Sequence, residues 1–163
     1  MLASISLNGD WSFRFDGDSA WSSLPVPGCW DALGHKDRSG PAWYRRTFTV
    51  PADWAGRRVW LRFDGVSYAC TVSVNDREVA RHVGAWDGFD VEITAAVVPG
   101  KDADLLVRVE KPAGLSHGPE SETMPGNYPL RETLSGFLPY VWGHMFGGIW
   151  QDVTLYATGR VAC

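Results

Sequence analysis

The sequence has no basic run or stripe, no apolar run of membrane-spanning length, and no N-terminal pairing of charged and apolar regions of the kind that marks a secretory leader. The first absence, together with a formal net charge of −4 and a pI near 5.5, argues against a phosphate-backbone partner, so nucleic acid is not expected. The other two point away from a membrane and toward a cytoplasmic setting, although a secreted chain trimmed of its leader would read the same way. Cysteine is scarce: Cys29, Cys70 and Cys163 are odd in number and irregular in spacing, which makes no disulfide framework, and free thiols are expected. The four histidines, His35, His82, His117 and His144, lie far apart and show no zinc-ligand spacing. Asp16 and Asp18 flank Gly17, but such a cluster is more often a turn than a Ca²⁺ site. No metal and no cofactor are expected, and no internal repeat is visible.

What the chain does have is nine Trp and 18 Gly in 163 residues, which suggests a turn-rich β protein with a heavy aromatic content. One domain, 1–163, is long enough for a proper core. Its centre is 57–94. There Val59, Leu61 and Phe63 alternate with Trp60, Arg62 and Asp64, and Cys70, Val72 and Val74 alternate with Thr71, Ser73 and Asn75. This is the period of a strand with one buried face. Asn75-Asp76 reads as a two-residue hairpin turn, because both residue types tolerate left-handed backbone. Arg77 to Val83 returns, and Phe89, Val91 and Ile93 supply a further inward set. Around this centre the pattern predicts strands at 11–15, with Trp11, Phe13 and Phe15 on one face, and at 21–26, 43–50, 105–109 and 149–157, with a polar loop over 29–42 and a short helical turn after Thr94. The fold class is all-β, an antiparallel β-sandwich.

The periodicity fails from Lys111 to about Met145. Prolines at 112, 119, 125, 129 and 139 interrupt this stretch, and Tyr128, Phe137, Tyr140 and Trp142 argue against plain disorder. An irregular segment this long is usually functional or disordered.

Seven segments in order resemble the N-terminal sugar-binding domain of glycoside hydrolase family 2, the family of β-galactosidases, β-glucuronidases and β-mannosidases. They are LNGDWSF (7–13), VPGCW (26–30), AWYRRTFTVP (42–51), RVWLRFDGV (58–66), VSVND (72–76), FDVEIT (89–94) and GGIWQDVTL (147–155). The resemblance implies a jelly-roll sandwich of the galactose-binding type. Asp76 departs from the family's usual Gly, and the 111–145 stretch is longer than expected. The resemblance also implies that the catalytic carboxylates lie on a separate (β/α)₈ barrel of about 250 residues, for which this sequence has no room. Docking partners would be immunoglobulin-like and barrel domains outside this sequence, and the ligand a carbohydrate substrate.

No catalytic residue is therefore assigned. Glu120, Glu122 and Glu132 could in principle form the carboxylate pair of a retaining glycosidase, about 5–5.5 Å apart, but solvated loop charges are the simpler reading. The candidate substrate-binding residues are Trp86, His117, Glu120, Glu122, Arg131, Glu132, Tyr140, Trp142 and His144, which can hydrogen-bond hydroxyls or stack on pyranose rings. Trp43, Trp60 and Trp150 also invite a sugar-platform reading. Trp60 and Trp150 have outward parity and suit a face covered by a neighbouring domain. Gly147-Gly148 reads as structural. Two functions fit: a non-catalytic module that docks on a glycosidase barrel and lends a loop for substrate positioning, or a freestanding carbohydrate-binding module.

Overall fold

The structure, a computed structural model, describes residues 3–35, 38, 40–111 and 146–160. Twelve strands follow in order: β1 (Ala3–Ser6), β2 (Gly9–Phe15), β3 (Ser22–Val26), β4 (Gly40–Thr49), β5 (Arg57–Phe63), β6 (Val66–Ser67), β7 (Ala69–Val74), β8 (Arg77–Val83), β9 (Phe89–Glu92), β10 (Asp102–Lys111), β11 (Gly148–Ile149) and β12 (Val153–Arg160). Single 3₁₀ turns sit at Ala52–Trp54 and Thr94–Ala96. A six-stranded sheet, β3-β2-β4-β10-β7-β8, faces a four-stranded one, β1-β12-β5-β9, and β11 pairs with β6 beside them. Among the described residues every pairing is antiparallel.

Alternation decides which side chains meet between the sheets. Trp11, Phe13, Tyr44, Val72, Val74, Leu105, Val107 and Val109 face inward from the large sheet, and Val59, Leu61, Phe63, Val91, Val153 and Leu155 answer from the small one. Each such side chain contributes about 1.5–3 kcal/mol when fully buried. The turn at Asn75-Asp76 is as expected, with φ of 49° and 62°. Asn75 does more than turn the chain. Its Nδ2 donates to the Ala96 carbonyl at 2.8 Å, and its Oδ1 accepts from the Asp104 N–H at 2.9 Å, which ties the hairpin to β10.

Four local expectations are corrected. The strand expected from Trp21 begins at Ser22, and Trp21 lies exposed with the Arg14 guanidinium 5.0 Å from its ring. The 29–42 stretch is not simply a polar loop: Trp30 is fully buried against Phe13 and Phe15, and its Nε1 donates to the Arg38 carbonyl at 3.0 Å. The last strand is broken at Trp150–Asp152, where the chain stops pairing with β6 and starts pairing with β5. Finally, β10 runs on through Lys111, whose inward-facing side chain is buried. The 112–145 stretch lies outside the described residues.

His82, on β8, stacks on Phe89 with ring centroids 4.2 Å apart. Burial pushes its imidazole below the ordinary histidine value, partly opposed by Asp87. The folded chain therefore resists a proton that the unfolded chain accepts. At neutral pH and above, both states are uncharged there and His82 adds no pH dependence. As pH falls below about 6.5, stability is lost, until the folded-state value is passed. Urea midpoints at pH 8 and pH 5.5 are expected to differ less in His82→Gln than in the parent chain; an unchanged difference would refute the assignment.

Candidate functional site

Lys111 and Phe146 bound the stretch between β10 and β11, and the residues that hold them define one end of the sandwich. Asp31 receives Lys111 and Gly147, the residue after Phe146. Its Oδ1 pairs with the Lys111 ammonium, and its Oδ2 accepts the Gly147 N–H at 2.8 Å. The Trp30 N–H donates to the Gly147 carbonyl at 2.9 Å, and the Gly28 N–H to the Ile149 carbonyl at 2.9 Å. From the other side, the Ser67 hydroxyl donates to the Phe146 carbonyl at 2.7 Å. Both glycines are required. A Cβ on Gly147 would fall inside the Trp30 indole. Gly148 has φ of 134°, and a Cβ there would come within 2.7 Å of the Gly28 carbonyl oxygen and 2.8 Å of the Tyr44 hydroxyl. Gly147-Gly148 is thus structural, as the sequence suggested.

Above this floor stand three aromatic rings. Trp86, Phe146 and Trp150 meet edge to face, with centroids 5.6 Å (Trp86–Phe146), 5.2 Å (Trp86–Trp150) and 5.4 Å (Phe146–Trp150) apart. Trp150 is fixed by its Nε1, which donates to the Ala85 carbonyl at 2.8 Å, and by Gly65, where a Cβ would come within 2.8 Å of that nitrogen. Trp86 is 56% exposed. A rigidly backed, half-exposed indole is the kind of surface on which a pyranose face stacks.

Of the expected binding residues, Trp86 is placed on this rim. His117, Glu120, Glu122, Arg131, Glu132, Tyr140, Trp142 and His144 lie outside the described residues. Trp150, expected on an outward surface covered by a neighbouring domain, supports Trp86 from behind. Trp60 does face outward: it stacks on Tyr156 at 6.2 Å, and its Nε1 donates to the Thr158 hydroxyl at 3.1 Å. Asp31 and Lys111 were not anticipated. The signal was present, since Lys111 follows Leu105, Val107 and Val109 at the same parity, but a lysine in an inward position announces a partner without naming it.

Among the described residues, the carboxylates of Asp31, Asp16 and Asp18 are already engaged. The Asp31 carboxylate is committed to Lys111 and Gly147. Asp16 and Asp18 serve Trp43 and Arg38 respectively. Among the described residues, no group of three or more His, Cys, Asp or Glu side chains is placed to hold a metal ion. Cys29 and Cys70 are free thiols, and burial pushes the Cys70 thiol up to about 12. Among the same residues, no helix is long and apolar enough to cross a membrane.

Comparison with known proteins bears on the fold and the family. A β-glucuronidase of Paenibacillus borealis is 28% identical over 93% of this chain, which spans 28% of that enzyme. A β-glucuronidase of Bacteroides fragilis is 31% identical over 94% of the chain, which spans 20% of it. The chain therefore corresponds to roughly a fifth to just over a quarter of these relatives. In three dimensions it superposes on the β-glucuronidase of Ruminococcus gnavus with a TM-score of 0.74 over 96% of its length, covering 28% of that structure at 23% identity, a likeness of fold. Residues 3–159 match the family described as Glycosyl hydrolases family 2, sugar binding domain, and the chain belongs to that family.

Proposed function

We propose that this chain is the non-catalytic sugar-binding domain of a family 2 β-glycosidase, that it docks beside a catalytic barrel, and that it positions substrate at the rim built on Trp86. The observation that carries this reading is the Trp86–Phe146–Trp150 cluster. It joins an exposed indole to the point where the stretch rich in Tyr, Trp, His and Glu leaves and rejoins the sandwich. The length of the relatives supports the docking part of the reading, since each is several times longer than this chain. We place the protein in the cytoplasm on the sequence alone. The hydrolysed bond would lie on the barrel, so the domain acts on binding and not on bond cleavage.

The 163-residue chain by itself is expected to show no turnover of chromogenic β-glucuronides, β-galactosides or β-mannosides. Activity that survives repurification and disappears on mutating Glu120, Glu122 or Glu132 would overturn this. In the full-length native enzyme, Trp86→Ala is expected to raise KM about tenfold, the loss of about 1.4 kcal/mol of ring stacking, with kcat little changed. A fall in kcat at constant KM would contradict a positioning role. Micromolar sugar affinity in the isolated chain, abolished by Trp86→Ala, would favour a freestanding binding module.

A further inference from the structure

The outer face of the six-stranded sheet carries a cross-strand row that neither the core nor the rim uses. Register places Arg14 of β2 opposite Trp43 of β4, Trp43 opposite Arg108 of β10, Arg108 opposite Thr71 of β7, and Thr71 opposite Arg81 of β8. Three arginines and no carboxylate share this row, in a chain whose net charge is −4. The neighbouring row runs Glu110, Ala69, Val83. Because β7 offers only Ala69 and Thr71 between the taller side chains of β10 and β8, the face sinks into an open trough of about 250 Å³. Two strand spacings of about 4.8 Å put the Cα atoms of Arg108 and Arg81 roughly 10 Å apart across it.

The donors are only partly used. Arg81 turns its Nε and Nη2 to Glu78, and Arg108 its Nη1 to Glu110. Each guanidinium has five N–H donors, so both keep further N–H groups for a second acceptor. The Arg81–Glu78 pair is largely solvated, with side chains 74% and 48% exposed, and exchanging Glu78 for another carboxylate sacrifices little. Val83, 47% exposed, and Ala69 supply an apolar wall and floor, Thr71 a hydroxyl, and Glu110 an acceptor for sugar hydroxyls.

We propose that this trough is a second carbohydrate site that takes a uronic acid residue, its carboxylate held by Arg81 and Arg108 and its ring seated over Ala69 and Thr71. The inference rests on the sugar-binding reading of the domain but not on the Trp86 rim, which is a separate site. Planar, bidentate capture of a carboxylate is what arginine does better than lysine, and all three positions in the row that carry a cation carry arginine.

The test is an amide-resolved NMR titration of the 163-residue chain with methyl β-D-glucuronide, with methyl β-D-glucoside as the neutral twin and sodium acetate as the bare anion. Saturable shifts at Thr71, Arg81 and Arg108 are expected with the glucuronide, about tenfold weaker with the glucoside and with acetate. The double variant Arg81→Gln/Arg108→Gln should weaken glucuronide binding at least about tenfold. Arg108 is half-buried, paired with Glu110 and 5.8 Å from the Trp43 ring, so the single variant Arg81→Gln, at a side chain 74% exposed, is measured beside it: its melting temperature should match the parent's while glucuronide binding weakens. Equal response to glucoside, equal response to acetate, persistence in the double variant, or no shift at any attainable concentration would each overturn the proposal. Shifts centred on Trp86, Phe146 and Trp150 that survive the double variant would overturn the trough while supporting the rim. The reverse pattern would support the trough, with the rim left to the KM measurement on Trp86→Ala.

Discussion

Gly148→Ala is expected to lower the stability of the chain by about 3 kcal/mol or more, because two independent penalties meet at one Cβ. The backbone at φ 134° is a region that side chains other than glycine rarely adopt, and the added methyl would also run into the Gly28 carbonyl and the Tyr44 hydroxyl. Neither obstacle can retreat easily. Gly28 is held through its own N–H to Ile149, and Tyr44 is fully buried in the centre of the large sheet. Gly147→Ala is expected to do comparable damage by a different route, since its Cβ would displace the buried Trp30 ring. For a domain of this size, about 3 kcal/mol corresponds to a fall in Tm of roughly 10 °C. Gly159→Ala is the control. No atom lies within 4 Å of its Cβ position and its φ is not in the positive range, so its Tm should stay within a degree or two of the parent's. If Gly148→Ala and Gly159→Ala melt together, the close packing assigned to the 147–148 corner is wrong.

Asp31→Ala should rank next. Lys111 is 5% exposed, and Asp31 is its counter-charge as well as the acceptor for the Gly147 N–H. Removing the carboxylate strands a buried ammonium and a backbone donor together, a loss of about 3–5 kcal/mol by urea denaturation. Asp31→Asn keeps an acceptor for Gly147 but not the charge, and should fall between. The informative variant is the double one. Asp31→Leu/Lys111→Met replaces both charges with apolar side chains of similar size and should recover much of the loss, because an unpaired buried charge is worse than none. A loss below about 1 kcal/mol for Asp31→Ala would mean that Lys111 reaches water without its partner.

The elements with a clean period-2 pattern were legible in the sequence almost to the residue. Val59, Leu61 and Phe63, and Cys70, Val72 and Val74, are inward as expected, and the hairpin at Asn75-Asp76 has the left-handed backbone its residues favour. What escaped notice was whatever depended on distant partners. Trp30 follows a Pro-Gly-Cys run and looked like part of a polar loop; only the Phe13 and Phe15 rings, brought in from β2, make it core. Lys111 ended the expected pattern because a lysine does not read as inward, and its partner lies 80 residues earlier in the chain. β1 was invisible for another reason. Ala3–Ser6 does alternate, Ala3 and Ile5 against Ser4 and Ser6, but four residues at the start of the chain are too short a run to stand out, and the ladder that makes them a strand comes from β12. At the rim, Trp86 stands out in the sequence by its loop position, while its contacts with Phe146 and Trp150 emerge only when three segments converge.

The strand order has a last consequence, for the borders of the two sheets. On one edge of the larger sheet lies β3, where Pro25 removes a backbone donor from the ladder. On the other lies β8, which carries Arg77, Glu78 and Arg81 and pairs with β7 through an irregular register after Val72. The smaller sheet ends in β1 and β9, each four residues long. A strand arriving from a second molecule would meet a missing N–H, a kinked and charged border, or too short a template. Among the described residues, fibril growth by strand addition is opposed at all four edges of the two larger sheets, so aggregation on heating is expected to begin with the opening of the sandwich and not with the stacking of intact copies.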